Sequence, residues 1–359
     1  MKTNKIKILF FLPHLKAGGA ERVVSFLFMR LNRAIFDPYL VVIGFKEESH
    51  YTIEADNIIY LNKERLRSAL FEIIKLVRKV KPNITFSSIG HINIYMGVLS
   101  IFFPKTIFIA REASVYSKMS SFNNKKQLPM VVLKKCYLRL NALVYQSNDM
   151  KKDFEQTFKI HPSKGHLIAN PITTPSRFIK EPLKKSTFPI KFFIVGSLVL
   201  NKGHERVLKM LEHVDFDFEL HIIGEGPLRE KLEQRTDSSR IKDKIIFRGL
   251  QKNMPQLYTE ADFLIQGSYV EGFPNVILEA LSFGIPCLVF DAPGGHREMI
   301  TDTINGFIIP TEDQAPQIIE KAIRFNWDRI AIQKDVQNRF GAEKIIKQYE
   351  TMFLNMVNQ

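Results

Sequence analysis

Cysteine is nearly missing from this chain: Cys136 and Cys287 are the only two in 359 residues. Both lie in apolar surroundings with no histidine at ligand spacing. That excludes a disulfide framework and a zinc site, and fits a reducing compartment. Long apolar runs are missing too. The best, Gly97 to Ala110, is broken by Pro104 and Lys105, so no window reaches the roughly 18–20 uncharged apolar residues of a membrane span. The opening MKTNKIKILFFLPHLKAGGA offers only Ile8 to Leu12 as an uninterrupted apolar stretch, short of the roughly 7–15 residues of a signal peptide. It reads as a first strand, and any membrane contact is expected to be peripheral. Acidic residues are scarce in one half: residues 1–175 hold 27 Lys+Arg against 12 Asp+Glu, while residues 176–359 hold 24 against 25. The net charge of +14 therefore sits in the first half. Such asymmetry predicts a domain that faces an anionic surface, whether lipid headgroups, pyrophosphate or nucleic acid.

What is present has the composition of a folded soluble protein, 45% hydrophobic and 25% charged, and its length suits two domains. Short β-branched or aromatic runs alternate with helical-length stretches: IKILFFL, a helix from about Ala20 to Leu31, YLVVIGF, a helix from about Arg67 to Val80, NITFSS, TIFIA and ALVYQS. After Pro189 the alternation resumes with KFFIVGS, a helix from about His204 to Glu212, FELHIIG, KIIFRGL, DFLIQGS, IPCLVF and GFIIP. Strand, helix, strand repeats predict parallel sheets covered on both faces. Two doubly wound α/β domains in tandem follow, residues 1–175 and 188–340. The proline-rich stretch between them reads as a linker at 176–187. Residues 341–359 read as a helix that packs back on the first domain.

The strongest motif is SYVEGFPNVILEALSFGIPCLVFDAPGGHREMI, residues 268–300, which follows a strand and opens a helix around Pro274. A helix N-terminus stabilises phosphate or sugar oxygens, and Gly272 lets main chain approach a ligand closely. Glu271 and Glu279 are eight positions apart, just over two helical turns, which would set both carboxylates on similar azimuths about 12 Å apart along the axis.

The full order of Glu, Gly, Phe, Pro, seven residues between two glutamates, Gly-x-Pro before a buried strand and Gly-Gly after it resembles the family 4 glycosyltransferases. The resemblance implies a GT-B fold, two Rossmann-like domains facing a cleft. It also implies that Glu271 binds donor-sugar hydroxyls, that the following Gly272, Phe273, Pro274 and Asn275 form the main-chain part of the donor site, and that Glu279 binds the ribose. GSLVLNKG is similar to the family's diphosphate segment, with Lys202 matching its lysine. Ser197 stands where the family usually has an arginine, for which Arg206 is a possible substitute. HIIGEGPLREKLE supplies Gly224 and Gly226 near the nucleotide, and Met254 and Leu257 are candidates to flank uracil.

In the first domain, Gly18 and Gly19 of LKAGGAERVVSFL follow a strand and precede a helix, which allows close backbone approach to a ligand. The Gly-Gly-Ala-Glu-Arg run is common in the resembled family. It is not G-x-G-x-x-G, and Asp37 poorly fits ribose binding, so a dehydrogenase is disfavoured. His91 follows NITFSS at the carboxyl end of a strand, where ligands bind in open α/β sheets, and is a catalytic candidate beside Glu271 and Lys202. Arg111 and Glu112 after TIFIA are candidate acceptor contacts, and Asn170-Pro171 resembles the family's turn before the linker. Residues 118–140 interleave Lys125, Lys126, Lys134, Lys135 and Arg139 with apolar side chains. That pattern suits either an anionic membrane surface or a helix packed on the sheet.

The expectation is a retaining hexosyltransferase that uses a UDP-sugar, with no metal or other cofactor. Its acceptor would be a glycan or polyprenyl-diphosphate-linked saccharide in O-antigen, capsule or other surface polysaccharide assembly. It would act in the cytoplasm or peripherally on the inner membrane, without nucleic acid. Two alternatives stay open on sequence: a GT-B epimerase or phosphorylase, since fold does not fix chemistry, and a basic nucleic-acid-binding protein.

Overall fold

A computed structural model describes the chain except for residues 1–4, 17, 50–52, 54, 123–127, 175–188 and 252. The expected linker at 176–187, and Lys125 and Lys126, lie outside the described residues. The chain divides into two compact units: residues 1–117, 124–173 and 342–359, and residues 118–123 with 174–341.

The first unit is built on β1 (Ile6–Leu12), α1 (Gly19–Arg30), β2 (Phe36–Val42), β3 (Ile58–Tyr60), α2 (Leu70–Val80), β4 (Ile84–Ser88), α3 (Gly90–Leu99), β5 (Ile107–Arg111), the first half of α4 (Tyr116–Met119), α5 (Met130–Arg139), β6 (Ala142–Tyr145), α6 (Asn148–Phe158) and β7 (Gly165–Leu167). Its seven strands lie in the order β3-β2-β1-β4-β5-β6-β7, and every pairing is parallel. The central runs are buried along their whole length, as LFFL in β1 and ITFSS in β4 are. A sheet covered on both faces requires this. Asp37 falls at the amino end of β2 and takes a hydrogen bond from Tyr39. A ligand at the carboxyl edge is at the far end of that strand.

The second unit repeats the pattern with β8 (Ile190–Val195), α7 (His204–Leu211), β9 (Phe218–Ile223), α8 (Arg229–Asp237), β10 (Ile245–Gly249), α9 (Met254–Tyr258), β11 (Phe263–Gln266), α10 (Asn275–Ser282), β12 (Cys287–Phe290), α11 (His296–Met299), β13 (Gly306–Ile309), α12 (Ala315–Arg324) and α13 (Arg329–Phe340). Its order is β10-β9-β8-β11-β12-β13, again all parallel. In both sheets the order reverses beside the first strand, at β1/β4 and at β8/β11. Such switch points are where open α/β sheets hold ligands.

The last helix, α14 (Ala342–Asn358), belongs to the first unit. Ile345, Tyr349, Met352 and Phe353 recur at helical spacing and join the core of β1, β4 and α1. The Phe353 ring packs edge-on against Phe10, Phe36 and Phe86.

Candidate active site

In the second unit, two loops at the carboxyl edge of the sheet are drawn together by a pair of glycines. Gly203 ends the turn Leu200–Lys202 with φ +61° and caps α7. A Cβ on Gly203 would collide with the carbonyl of Gly267, and one on Gly267 would meet the carbonyl of Gly203. Only glycine at both places lets the β8–α7 loop lie against the β11–α10 loop. Tyr269 N–H then donates to the Asn201 carbonyl at 2.8 Å.

This contact brings Lys202 Nζ to 2.5 Å from Glu271 Oε1. The same oxygen accepts from Gln266 Nε2 at 2.9 Å and Ser268 Oγ at 2.7 Å. Burial alone would raise the Glu271 pKa. The Lys202 charge and hydrogen bond, the Ser268 hydroxyl and nearby His296 outweigh it and hold the carboxyl below its ordinary value. The site is therefore a buried carboxylate with an ammonium on it, a neutral whole that an anionic ligand can split by taking the lysine.

Glu271 precedes α10 and is not on it, so the expected shared helical azimuth with Glu279 does not exist. Glu279 is buried on α10, where its Oε2 accepts from Tyr258 Oη at 3.1 Å. Pro274 caps α10 and has no N–H to offer, and Asn275 opens the helix. Glu271 N–H donates to the Pro293 carbonyl, and Gly295 N–H to that of Gly272, which ties this loop to the Gly-Gly turn. Phe273 is buried against Phe340, its ring filling space that a side chain on Gly295 would occupy. That is a packing position.

Gly224 and Gly226 have a similar local explanation. A Cβ on either would strike the main chain of Gly196 or Leu198, so these glycines seat one strand-end loop on the next. Ser197 is exposed on that loop. Arg206 donates to the Ser268 carbonyl at 2.5 Å, and its guanidinium carbon lies 4.3 Å and 4.0 Å from the ring centres of Tyr269 and Phe290. It is a half-buried brace under the loop rather than a free cation. Leu257 is buried and Met254 partly so, both on α9.

The sequence reading missed Gln266, Ser268, Tyr258 and His296. Gln266 and Ser268 alternate along the chain as β11 ends, five and three positions before Glu271, so polar side chains on one face of a strand end were the available signal. Tyr258 and His296 carry no such pattern. His296 is fully buried, with Nδ1 3.3 Å from the Ala292 carbonyl. Burial lowers its pKa although Glu271 pulls the other way.

In the first unit, Gly18 caps α1, and the carboxylate of Glu21 folds back into the space a Gly18 side chain would need. Glu21 stands at the capping-box position and bonds its own backbone N–H. Its pKa is raised by burial, against that bond, His14 and Arg111. The α1 N-terminus, with Gly18 and Gly19, already has a carboxyl group of its own folded over it.

His91 lies in the first turn of α3 and is exposed. The preceding Ile89 has φ +90°, a strained backbone for a β-branched residue. His91 lines a cavity of about 530 Å³ with His14, Lys16, Lys63 and Arg65 among its other walls.

Arg111 and Glu112 do not line such a rim; both are buried. Arg111 donates to Ser88 Oγ at 3.0 Å and to Asn170 Oδ1 at 2.5 Å, which fixes the turn at Asn170 to the end of β4. Glu112 Oε1 accepts from Asn93 Nδ2 at 2.7 Å, and Asn93 Oδ1 from Ser87 Oγ at 2.7 Å. Burial pushes the Glu112 pKa up to about 7 against the Asn93 and Tyr137 hydrogen bonds and the Arg111 charge. The two expected acceptor contacts are thus internal ties: Glu112 is held by Asn93 of α3 and Tyr137 of α5, and Arg111 by Ser88, Asn170 and Tyr349 of α14.

The two doubly wound sheets, with a lysine–glutamate pair at the switch point of the second, define a protein of the GT-B class. Two solved structures share this fold over nearly their whole length. The lipopolysaccharide outer core galactosyltransferase WaaB, apo form, aligns with a TM-score of 0.78 at 19% identity, covering 98% of this chain and 99% of that one. Anabaena HepE in complex with UDP-glucose aligns with a TM-score of 0.77 at 17% identity, covering 97% and 99%. By sequence, the N-acetylgalactosamine-N,N'-diacetylbacillosaminyl-diphospho-undecaprenol 4-alpha-N-acetylgalactosaminyltransferase of Campylobacter jejuni is 24% identical over 321 residues, 86% of this chain and 87% of that protein.

Residues 175–344 match the family described as "Glycosyl transferases group 1". The chain is a hexosyltransferase, and its second unit carries the match to this family.

Proposed function

We propose that the chain is a retaining transferase that moves a hexose or N-acetylhexosamine from a UDP-sugar to a polyprenyl-diphosphate-linked saccharide, in the cytoplasm or on the cytoplasmic face of the membrane. The observation that carries this reading is the buried Lys202–Glu271 pair at the switch point of the second sheet. HepE, solved with UDP-glucose, supports the donor class, and the Campylobacter relative, named for an undecaprenol-linked substrate, supports the acceptor class.

In this reading the donor diphosphate takes the Lys202 ammonium, which frees Glu271 to accept hydrogen bonds from the sugar hydroxyls. Glu279, oriented by Tyr258, takes the ribose hydroxyls, and main-chain groups of Gly272 to Asn275 complete the site. The acceptor hydroxyl attacks the anomeric carbon on the face that the diphosphate leaves. The new carbon–oxygen bond forms as the bond to phosphate breaks, and the hydroxyl proton passes to the departing phosphate oxygen. Lysine and backbone dipoles meet the leaving-group charge, so no metal is required. The cavity beside His91, with Lys16, Lys63 and Arg65, is an acceptor site whose cations suit a phosphate-bearing substrate.

The test is a Glu271→Ala variant assayed with a panel of UDP-sugars, with folding checked by melting. Transfer is abolished and chelators leave the wild type unaffected; wild-type turnover in the variant would refute the assignment.

A further inference from the structure

The scarcity of acid in the first half of the chain is concentrated in one stretch. Residues 73–148 contain 12 Lys+Arg and a single carboxylate, Glu112, and Glu112 is buried. The strands that α2, α3 and α5 connect all run in the same direction across the sheet, so right-handed crossovers put these helices side by side on one face. Tyr95 Oη donates to the Leu70 carbonyl, which joins α3 to α2. Gly97 sits against the Cys136 main chain, which joins α3 to α5.

The outer side of this three-helix layer is both apolar and basic. Phe71 on α2 is 78% exposed, Phe102 in the turn after α3 is 63%, and Val131 on α5 is 65%. Val98, Ile101 and Leu138 are exposed with them. Lys75, Arg78, Lys79, Lys105, Lys135 and Arg139 are exposed around these side chains. Acid flanks this face at Glu72 in the first turn of α2, where it pairs with Lys63, and on the neighbouring α6, with Asp149, Asp153 and Glu155.

We propose that the outer face of α2, α3 and α5 is the surface by which this protein lies on an anionic lipid bilayer, Phe102 and Val131 entering the headgroup region and the cations pairing with lipid phosphates. This rests on the lipid-linked acceptor proposed above, which requires a soluble-type fold to work at a membrane. Two features favour a bilayer over a second copy of the chain or a nucleic acid. The apolar side chains sit on several elements of a broad layer, as shallow insertion requires, and a second copy would set cation against cation. No helix among the described residues is long and apolar enough to span the membrane instead.

The experiment is co-sedimentation of the full chain with vesicles of equimolar phosphatidylglycerol and phosphatidylcholine at low salt, beside phosphatidylcholine alone. The wild type is retained by the anionic vesicles only. A Phe102→Glu, Val131→Glu double variant loses at least tenfold in partitioning, and a Lys135→Glu, Arg139→Glu variant loses about fivefold or more per charge. Stabilisation by a UDP-sugar is unchanged in both variants, since neither touches the second unit. The proposal is overturned if the variants bind vesicles like the wild type, or if the wild type is not retained. It is equally overturned if the apolar variant turns a dimer into a monomer without changing retention, or if the chain is held by RNA and not by vesicles. Loss of UDP-sugar stabilisation in the wild type, with vesicle binding kept, would sink the donor reading and leave this one standing.

Discussion

Gly203 and Gly267 face each other main chain to main chain, each occupying the place where the other's side chain would be. Their contact decides where Lys202 sits, because the lysine is the residue immediately before Gly203 and reaches Glu271 four residues after Gly267.

Replacing Gly267 by alanine should therefore damage the site more than its distance from any substrate suggests. The added methyl meets the Gly203 carbonyl and the Val207 side chain, and overpacking of this kind costs about 1–3 kcal/mol. The expected outcome is a lower melting temperature together with weakened stabilisation by a UDP-sugar. A variant that melts lower and binds the donor normally would show that the loop contact does not position Lys202.

The Lys202–Glu271 pair predicts a pH signature. Glu271 is held below its ordinary value, so its contribution to stability is present above the unfolded carboxylate value of about 4.3 and is lost as pH falls through the folded value. Glu271→Gln should be less stable than the wild type by about 1–3 kcal/mol near neutral pH, since a partly buried ammonium loses its counter-charge. The gap should stay constant down to about pH 5 and close below about pH 4. Melting curves across that range check it; a gap that persists in acid would mean that charge is not its source.

The fold was legible because fully buried parallel strands leave continuous apolar runs, and IKILFFL, FELHII and CLVF need no partner to be recognised. That Lys202 and Glu271 belong to one site was legible only through motif order, since 69 positions separate them; their direct pairing was not read. Geometry within loops was not. Nothing in Gly224, Gly226 or Gly18 distinguishes a glycine that admits a ligand from one that admits a neighbouring carbonyl or carboxylate. Arg111 and Glu112 looked like rim residues because they end a strand, and only the helices laid over them show that they are buried. The short edge strands β3 and β7, three residues each, carry too little pattern to be read.

Tyr258 gives a prediction specific to the nucleoside end. Its hydroxyl donates to Glu279 Oε2 at 3.1 Å within the buried part of α10. If Glu279 grips the ribose, Tyr258→Phe loosens that grip without touching the sugar or diphosphate. KM for the UDP-sugar should rise about 3–10-fold with kcat little changed, as expected for a ground-state binding contact worth roughly 1 kcal/mol. A fall in kcat at unchanged KM would place Tyr258 on the reaction instead.

Glu112 gives the opposite sign to Glu271. Burial raises it to about 7, so its favourable contribution is full below the unfolded value of about 4.3 and is lost as pH rises through 7, where the folded protein must either ionise a buried carboxyl or hold its proton against solvent. A glutamine side chain at this position keeps a carbonyl for Asn93 and never ionises. Glu112→Gln should thus gain on the wild type with rising pH, by on the order of 3 kcal/mol between about pH 4 and pH 8, and level off above. Denaturation at a series of pH values measures this directly. A difference that stays flat from pH 5 to 8 would mean the Asn93 and Tyr137 hydrogen bonds, with the adjacent Arg111 charge, already keep the carboxylate ionised, and the burial cost would have been offset inside the network.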